Sequence, residues 1–332
     1  MRKVLILTPG FAQTCEEALE ILRQDGLTPV FQNDVPISRE EEILPYLDDT
    51  VEAIVVGVEP AGKLVQRSAK NLKMVSIFGA GINPVVLEGA KEAGVTLTRT
   101  PGANSNGVAD VVLGLMLNAA RKITRAERDL RSGKWQRYYS PSLYRATVGL
   151  LGFGAVAKAV ARRLQGFDAR ILAYDPYWDA EAAAKYGVER CDLDTLLQES
   201  DFVSIHVALT PETECMLGER EFAQMKPSAY LINTARGKIV DESALCRALE
   251  QGQIAGAALD TFWREPLPQE DPLLSQQNLL LTPHIAADSL ESRNSVSVYA
   301  AKNIVNVLNG TSMEGKPAWL VYRAPGCGNS RQ

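Results

Sequence analysis

The segment TVGLLGFGAVAKAVARRL, followed by ARILAYD, carries the residues whose spacing most plainly implies chemistry: Gly152-x-Gly154-x-x-Ala157, then Asp175 at the end of the next apolar run. Gly152 permits a tight turn, Gly154 lets the backbone approach a pyrophosphate, and Ala157 allows the following helix to pack closely on its sheet. The helix N-terminus then faces the phosphates. Asp175 is placed to accept hydrogen bonds from adenosine ribose hydroxyls, and its charge repels a 2′-phosphate. Pro176, Tyr177 and Trp178 supply no cation to offset that repulsion. At an effective dielectric near 20, one charge pair at contact is worth about 4 kcal/mol before screening. The pattern predicts NAD binding in preference to NADP, against the alternative of a bare strand-to-helix turn.

Elements able to carry such a site run through the chain. Short β-branched or aliphatic runs alternate with amphipathic stretches, as in parallel sheets covered by helices. Early strands are expected over Lys3 to Leu7, Ala53 to Val56, Met74 to Phe78 and Val95 to Thr98, with a helix from Cys15 to Arg23 between the first two. A second series runs through TVGLLGFG, RILAYD, DFVSIHV, AYLINTA, IAGAALD and NLLLTPH, enough strands for a complete nucleotide-binding domain. Two long helices flank it. One carries Val108, Val111, Val112, Leu115 and Ala119 behind an Asn104 or Ser105 cap; the other starts near Asp288, with Val296, Ala300, Ile304, Val307 and Leu308 on one face and Gly310 as its stop. The second helix follows the last strand of the series, so its segment is expected to return to the first domain. The expected fold is α/β: two Rossmann-like, doubly wound parallel-sheet domains with a cleft between them. The nucleotide domain, 100–286, is inserted into a substrate domain made of 1–99 and 287–332. The segment after Gly310 is rich in breakers and reads as an extended tail.

Composition narrows the partners. A chain of 332 residues with 46% hydrophobic and 23% charged residues suits two ordinary domains and excludes collagen, coiled coil and wholesale disorder. The formal charge of -5 has the wrong sign for general nucleic-acid binding. Cys15, Cys191, Cys215, Cys246 and Cys327 lack CxxC spacing, so no zinc or other metal site and no disulfide framework is suggested, and a reducing cytoplasm suits them. No apolar run approaches the length needed to span a bilayer. Neither export nor membrane insertion is expected.

Three further segments stand out: LINTARGKIVDESAL, ALDTFWREPLP and LLLTPHIAA. Together with the fingerprint, from the first strand to Gly310, the chain resembles the D-isomer-specific 2-hydroxyacid dehydrogenases. The resemblance implies that Arg236 binds the substrate carboxylate and polarises its carbonyl, that Glu265 pairs with an imidazole, and that His284 is the acid/base. A guanidinium can grip a 2-oxo acid through a planar fork. Reducing the ketone needs a hydride from the nicotinamide and a proton from a group titrating near neutrality, such as an imidazole held by a carboxylate. Only His206 and His284 are available. His206, at an earlier strand end, either lines the cofactor site or is structural. Besides Gly152, Gly154 and Asp175, the cofactor is expected to meet Phe153, Ala155, Val156 and His206, and farther on Ala235, Asp260 and Val108. Asp260 would contact the nicotinamide carboxamide, or else cap its strand. The substrate would meet Val58 and the backbone amides of Gly79, Ala80 and Gly81 in addition to Arg236.

The chain departs from the family pattern in places. GAGINPVV, with Asn83, Pro84 and Val86, stands where GxGxDNxD is usual, Asp110 replaces a glutamate, and Ala286-Ala287 follows His284 where a small residue and glycine are typical. The nucleotide half is most similar to the phosphoglycerate dehydrogenases, yet VVGVEPAG offers Gly57, Val58 and Glu59 where a phosphate-binding cation is wanted, and Ile77 occupies another such place. Arg137 is the remaining candidate cation. The leading expectation is an NAD-dependent D-2-hydroxyacid dehydrogenase, or 2-oxoacid reductase, of small unphosphorylated acids, working as a homodimer. Alternatives are D-3-phosphoglycerate dehydrogenase, phosphite dehydrogenase and a non-catalytic NAD(H)-sensing binding protein.

Overall fold

The computed structural model describes residues 2–13, 15–32, 37–311 and 319–324. In chain order it opens with β1 (Arg2–Ile6), α1 (Glu16–Gln24), β2 (Leu27–Phe31), β3 (Val51–Val56), α2 (Lys63–Ser68), β4 (Met74–Ile77), α3 (Pro84–Ala93) and β5 (Thr96–Thr98). Next come α4 (Ser105–Arg121), α5 (Ile123–Arg131), β6 (Thr147–Leu151), α6 (Ala155–Leu164), β7 (Arg170–Tyr174), α7 (Ala180–Tyr186) and β8 (Val188–Arg190). The series continues with α8 (Leu193–Glu199), β9 (Phe202–Ile205), α9 (Glu219–Gln224), β10 (Tyr230–Asn233), α10 (Glu242–Glu250), β11 (Gly256–Leu259) and β12 (Leu279–Leu281). Last are α11 (Leu290–Leu308) and β13 (Leu320–Tyr322). Two compact units result, 1–104 with 288–332, and 105–287.

The first unit holds a six-stranded sheet in the order β13-β5-β4-β3-β1-β2, parallel except for β13 against β5. Alternate residues of its central strands feed two cores. Leu5, Ile54 and Val56 pack with Val65, Val86 and Ala90 on the side of α2 and α3. Val4, Ile6, Ala53 and Val55 pack with Ala18, Leu22, Ala300 and Ile304 on the side of α1 and α11. Strands buried on both faces are apolar throughout, which is why they read as continuous runs in the sequence. The GAGINPVV departure has a local purpose: Asn83 accepts a hydrogen bond from the Val85 N–H at 3.0 Å, and Pro84 opens α3 behind that cap.

The second unit holds seven strands in the order β12-β11-β10-β9-β6-β7-β8, every pair parallel. Val148, Leu150, Phe202 and Ile232 face α4 and α6, while Leu151, Val203, Ile205 and Leu231 face the side of α8, α9 and α10. Asp110 on α4 pairs with the Arg163 guanidinium of α6 at 2.6 Å, tying the two covering helices together.

Several expectations need correction. The crossover between units falls at Asn104–Ser105 instead of Arg99–Thr100, because Thr100 is bonded to Gly79 through both its N–H (2.8 Å) and its hydroxyl (3.2 Å) and stays with the first unit. Strands β2 and β8 were not anticipated: both are sheet edges, one interrupted by Pro29 and the other only Val188–Arg190 with two exposed polar residues. The tail is not merely extended, since β13 adds an antiparallel strand to β5. The rest of that segment, with Cys327, lies outside the described residues. Among the described residues no helix is long and apolar enough to cross a membrane.

Candidate active site

Parallel pairing puts every strand's C-terminal end on one edge of the second sheet, and the singled-out residues follow one another along it in sheet order. His284 follows β12, Asp260 and Glu265 follow β11, and Arg236 follows β10. His206 follows β9, Gly152 follows β6, Asp175 follows β7, and Arg190 ends β8. The order of connection reverses between β9 and β6, and in open α/β sheets ligands bind at such a switch point.

At the cofactor end, Gly152 has φ +98°, and a Cβ there would lie 2.8 Å from the His206 carbonyl carbon and the Val207 nitrogen. Both facts exclude any other residue from the turn. A Cβ on Gly154 would meet nothing within 4 Å, so the space above the N-terminus of α6 is open. Ala155 and Val156 lie in the first turn of that helix, where amides lack intrahelical acceptors. Asp175 accepts from the Phe153 N–H at 2.6 Å and from the Tyr177 N–H at 2.7 Å, which locks it beside the glycine turn. Asp175 also lines a cavity of about 370 Å³ with Tyr174, Pro176, Arg190, Cys191 and Asp192. The pKa of the Cys191 thiol is pushed up to about 11, first by burial and then by neighbouring acids. Phe153 is itself buried and stacks on Trp178 at 5.2 Å, and Val108 packs in the apolar core. Those two side chains serve packing.

His206 is part-exposed as a residue, yet its Nε2 is buried without a hydrogen-bond partner among the described residues. Burial lowers its pKa to about 3, so the ring is neutral. An orphaned polar atom at the switch point, an open helix N-terminus and a ribose-type carboxylate fit NAD.

The other end is built by hydrogen bonds between neighbouring loops. Asn233, the last residue of β10, donates its amide to the Arg236 carbonyl at 2.9 Å and accepts from the Ala235 N–H at 3.0 Å, closing the turn that presents Arg236. Arg236 is exposed, and among the described residues no carboxylate pairs with it. Asp260 is completely buried and accepts from the Thr282 hydroxyl at 2.6 Å and from the Ile285 and Ala286 N–H groups at 2.9 Å. These bonds frame His284, whose φ of +53° is an uncommon conformation for a side-chain-bearing residue. Asp260 thus does what a strand-end cap does, and its buried carboxylate is engaged by the histidine loop. Glu265 accepts from the Phe262 N–H at 3.0 Å through one oxygen and meets His284 Nδ1 at 2.7 Å through the other. With Nδ1 engaged, Nε2 is the ring nitrogen left to exchange a proton. The imidazole and the carboxylate are 46% and 37% exposed, so solvent screens the pair and it adds little to stability. Its value lies in orientation.

In the first unit, Val58 is 88% exposed, while Glu59 turns inward, 5% exposed, and accepts from the Gly57 N–H at 2.5 Å. Ile77 is buried in β4. The expectation that Glu59 and Ile77 would confront a substrate is therefore corrected; Val58 is the outward residue of that set. Gly79 has φ +139° and donates to the Thr100 hydroxyl at 3.1 Å, and the Ala80 carbonyl accepts from Arg99 at 3.2 Å, fixing the turn that ends at Gly81.

The sequence profile described as D-isomer specific 2-hydroxyacid dehydrogenase, NAD binding domain, matches residues 113–286. A glyoxylate reductase of Thermofilum pendens is 41% identical over 285 residues, spanning 83% of this chain and 84% of that one. The chain belongs to the D-isomer specific 2-hydroxyacid dehydrogenase family. A D-3-phosphoglycerate dehydrogenase of Archaeoglobus fulgidus is 38% identical over 314 residues, 93% of this chain, but the chain spans only 58% of its length. The apo structure of D-lactate dehydrogenase from Escherichia coli superposes with a TM-score of 0.83 at 29% identity, covering 97% of this chain and all of that one. The enzyme is an NAD-dependent oxidoreductase acting on the CH–OH group of small 2-hydroxy acids, or on the corresponding 2-oxo acids. When bound, NAD accepts or supplies the hydride.

Sequence reasoning missed Arg190, because nothing marked β8 as a strand. Its guanidinium sits 5.5 Å from the Trp178 ring centroid, in the cavity that holds Asp175. NADH is expected to bind more tightly than NADPH in titrations. Asp175→Ser should narrow the gap by at least tenfold, since it removes the repulsion and leaves a cation behind, and adding Arg190→Ala should widen it again. Equal affinity of the unaltered enzyme for both dinucleotides would refute the ribose argument.

The neutrality of His206 has its own consequence. The folded pKa of about 3 lies below the ordinary 6.5, so its contribution to stability is complete above 6.5 and is lost as pH falls from there toward 3. Urea midpoints of the cofactor-free enzyme should drop between pH 7 and pH 5, and His206→Gln should flatten that drop. Identical drops in both proteins would remove His206 from the account.

Proposed function

We propose that Arg236, Glu265 and His284 catalyse reduction of short, unphosphorylated 2-oxo acids, glyoxylate among them. The observation that carries this reading is the Glu265 carboxylate held at both oxygens, by Phe262 and by His284 Nδ1. Arg236 grips the substrate carboxylate with one edge of its guanidinium and draws charge from the C2 carbonyl. His284 Nε2 gives a proton to the ketone oxygen as C2 takes the hydride, and Glu265 compensates the imidazolium beforehand. The reverse steps oxidise the hydroxy acid. Of the first-unit residues the sequence points to, Val58, Ala80 and Gly81 remain as substrate candidates, whereas the Gly79 N–H is already donated to the Thr100 hydroxyl. The substrate carries no phosphate, because the turn of Gly57, Val58 and Glu59 supplies no cation. The similarity to glyoxylate reductases of several archaea supports the same choice. A phosphoglycerate reading draws on the D-3-phosphoglycerate dehydrogenase similarity and on Arg137, exposed in the loop after α5.

We further propose a homodimer and a cytoplasmic location. Helix α5 buries no residue, and Ile123 (55%), Leu130 (58%), Trp135 (85%) and Tyr139 (91%) leave an apolar surface on it and on the loop that follows. A second copy of the chain would cover that surface. Tyr138 braces the loop by donating its hydroxyl to Asp129 and by lying 5.1 Å from the Arg125 guanidinium. The four cysteines among the described residues are free, as in a reducing compartment, and cell fractionation checks that placement.

One kinetic panel tests the reaction. kcat/KM is expected to be at least tenfold higher for glyoxylate, pyruvate or hydroxypyruvate than for 3-phosphohydroxypyruvate; a clear preference for the phosphorylated acid would restore the phosphoglycerate reading. In the same panel His284→Ala should lose at least a hundredfold in kcat with NADH affinity nearly intact, and Arg236→Lys should lose the guanidinium fork and raise KM. Turnover surviving His284→Ala sinks the acid/base assignment.

Sedimentation velocity tests the assembly. The unaltered enzyme should run as a dimer and Leu130→Asp as a folded monomer; an unaltered enzyme that stays monomeric at micromolar concentration removes the proposal.

A further inference from the structure

A carboxylate grip and a proton donor cooperate only if their side chains are in register to well under an ångström, since misplacement of that order costs about a hundredfold in rate. Here they stand on different loops. Glu265 and His284 are joined directly, and Asp260 fixes the loop between β12 and α11 to the end of β11. Arg236 belongs to the loop after β10, and the question is what holds that loop against the other two.

Three contacts do so, one at its near end and two at its far end. At the near end Gly237 lies flat on the next loop: a Cβ there would sit 2.0 Å from the Phe262 carbonyl carbon. At the far end the Trp263 indole N–H donates to the Val240 carbonyl at 2.6 Å, just past the 3-10 turn Gly237–Ile239, while the Trp263 main-chain N–H donates to Glu242 Oε1 at 2.8 Å. Trp263 as a residue is 43% exposed. A tryptophan left that open is a poor core residue, and its N–H is the part of it that is used. Phe262 and Trp263 are also the residues immediately before the segment that delivers Glu265.

We propose that Trp263 is a positioning residue that sets Arg236 in register with the Glu265–His284 pair through its indole bond to Val240. The proposal rests on the roles given above to Arg236, Glu265 and His284, and the test keeps the two apart.

Trp263→Phe retains an aromatic ring and removes the donor; Trp263→Leu removes both. With saturating NADH and glyoxylate as the probe, kcat/KM should fall about fivefold or more in Trp263→Phe and further in Trp263→Leu, while the NADH dissociation constant stays within twofold. The effect should nearly vanish when Trp263→Phe is combined with Arg236→Lys, because a residue acting through Arg236 has nothing left to align. Glu242→Gln, which keeps an acceptor oxygen for the Trp263 N–H, should lose less than Glu242→Ala. Activity of Trp263→Phe within twofold of the unaltered enzyme overturns the proposal. So does an equal loss in the presence and absence of Arg236→Lys, or a loss that follows the folded fraction. If Arg236→Lys itself costs nothing, the catalytic reading has failed, and that outcome is visible in the same assay before Trp263 is considered.

Discussion

Strict parallel pairing in the second sheet is the constraint from which the rest of the site follows. A parallel strand must be re-entered from the same end, so each loop at the C-terminal edge is free of hairpin geometry and can carry a functional turn. Seven strand ends then lie in one row, with neighbours spaced by about 4.8 Å. Chemistry that needs a pyrophosphate cradle, a ribose acceptor, a cation and an acid/base can therefore be distributed one function per strand. Reversal of strand order between β9 and β6 opens the row where the helix N-terminus of α6 points outward.

Such loops are exposed, and exposed loops wander unless their backbone groups are bound. Each functional turn here is clamped by a side chain from a strand end. Asn233 binds both sides of the Arg236 turn, Asp175 binds the N–H between the two fingerprint glycines, and Asp260 binds two amides beyond His284. Short acceptors at strand ends suit this task because they reach backbone donors only a few residues away and lose little rotamer freedom in doing so. The positive φ at His284 persists because the groups on both sides of it are already held.

What was legible in the sequence was whatever depends on local pattern. The inner strands, the fingerprint, the two long helices and the four ordered motifs are all continuous segments whose residue types answer to one neighbour, the core or the backbone turn. What was not legible depends on which distant groups meet. Edge strands β2 and β8 carry Pro29 or exposed polar residues and lack the apolar run that marks a strand, and Arg190 went unnoticed with β8. Glu59 read as an outward acid because nothing local reveals that the Gly57 N–H draws it in. Trp263 carries no local sign of its task, since its partner, the Val240 carbonyl, is a main-chain atom on another loop. Asn233 was the exception that could have been found, because an asparagine ending a strand ahead of a turn is a recognisable backbone clamp.

The loop after β11 shows how the same functional group takes opposite tasks through exposure alone. Asp260 and Glu265 are both carboxylates, separated by a few residues and aimed at the same histidine loop. Asp260 is fully buried, so its charge must be matched by donors, and the donors it has are the amides and hydroxyl that shape the loop. Glu265 is more than a third exposed, so solvent screens its charge and its second oxygen is left to orient the imidazole. Exchanging the two environments would fail in both directions: a buried acid facing the imidazole would resist the loss of its proton, and an exposed acid holding the loop would compete with water for the backbone amides. The buried carboxylate therefore lies beneath the loop, and the solvent-screened one lies beside the ring.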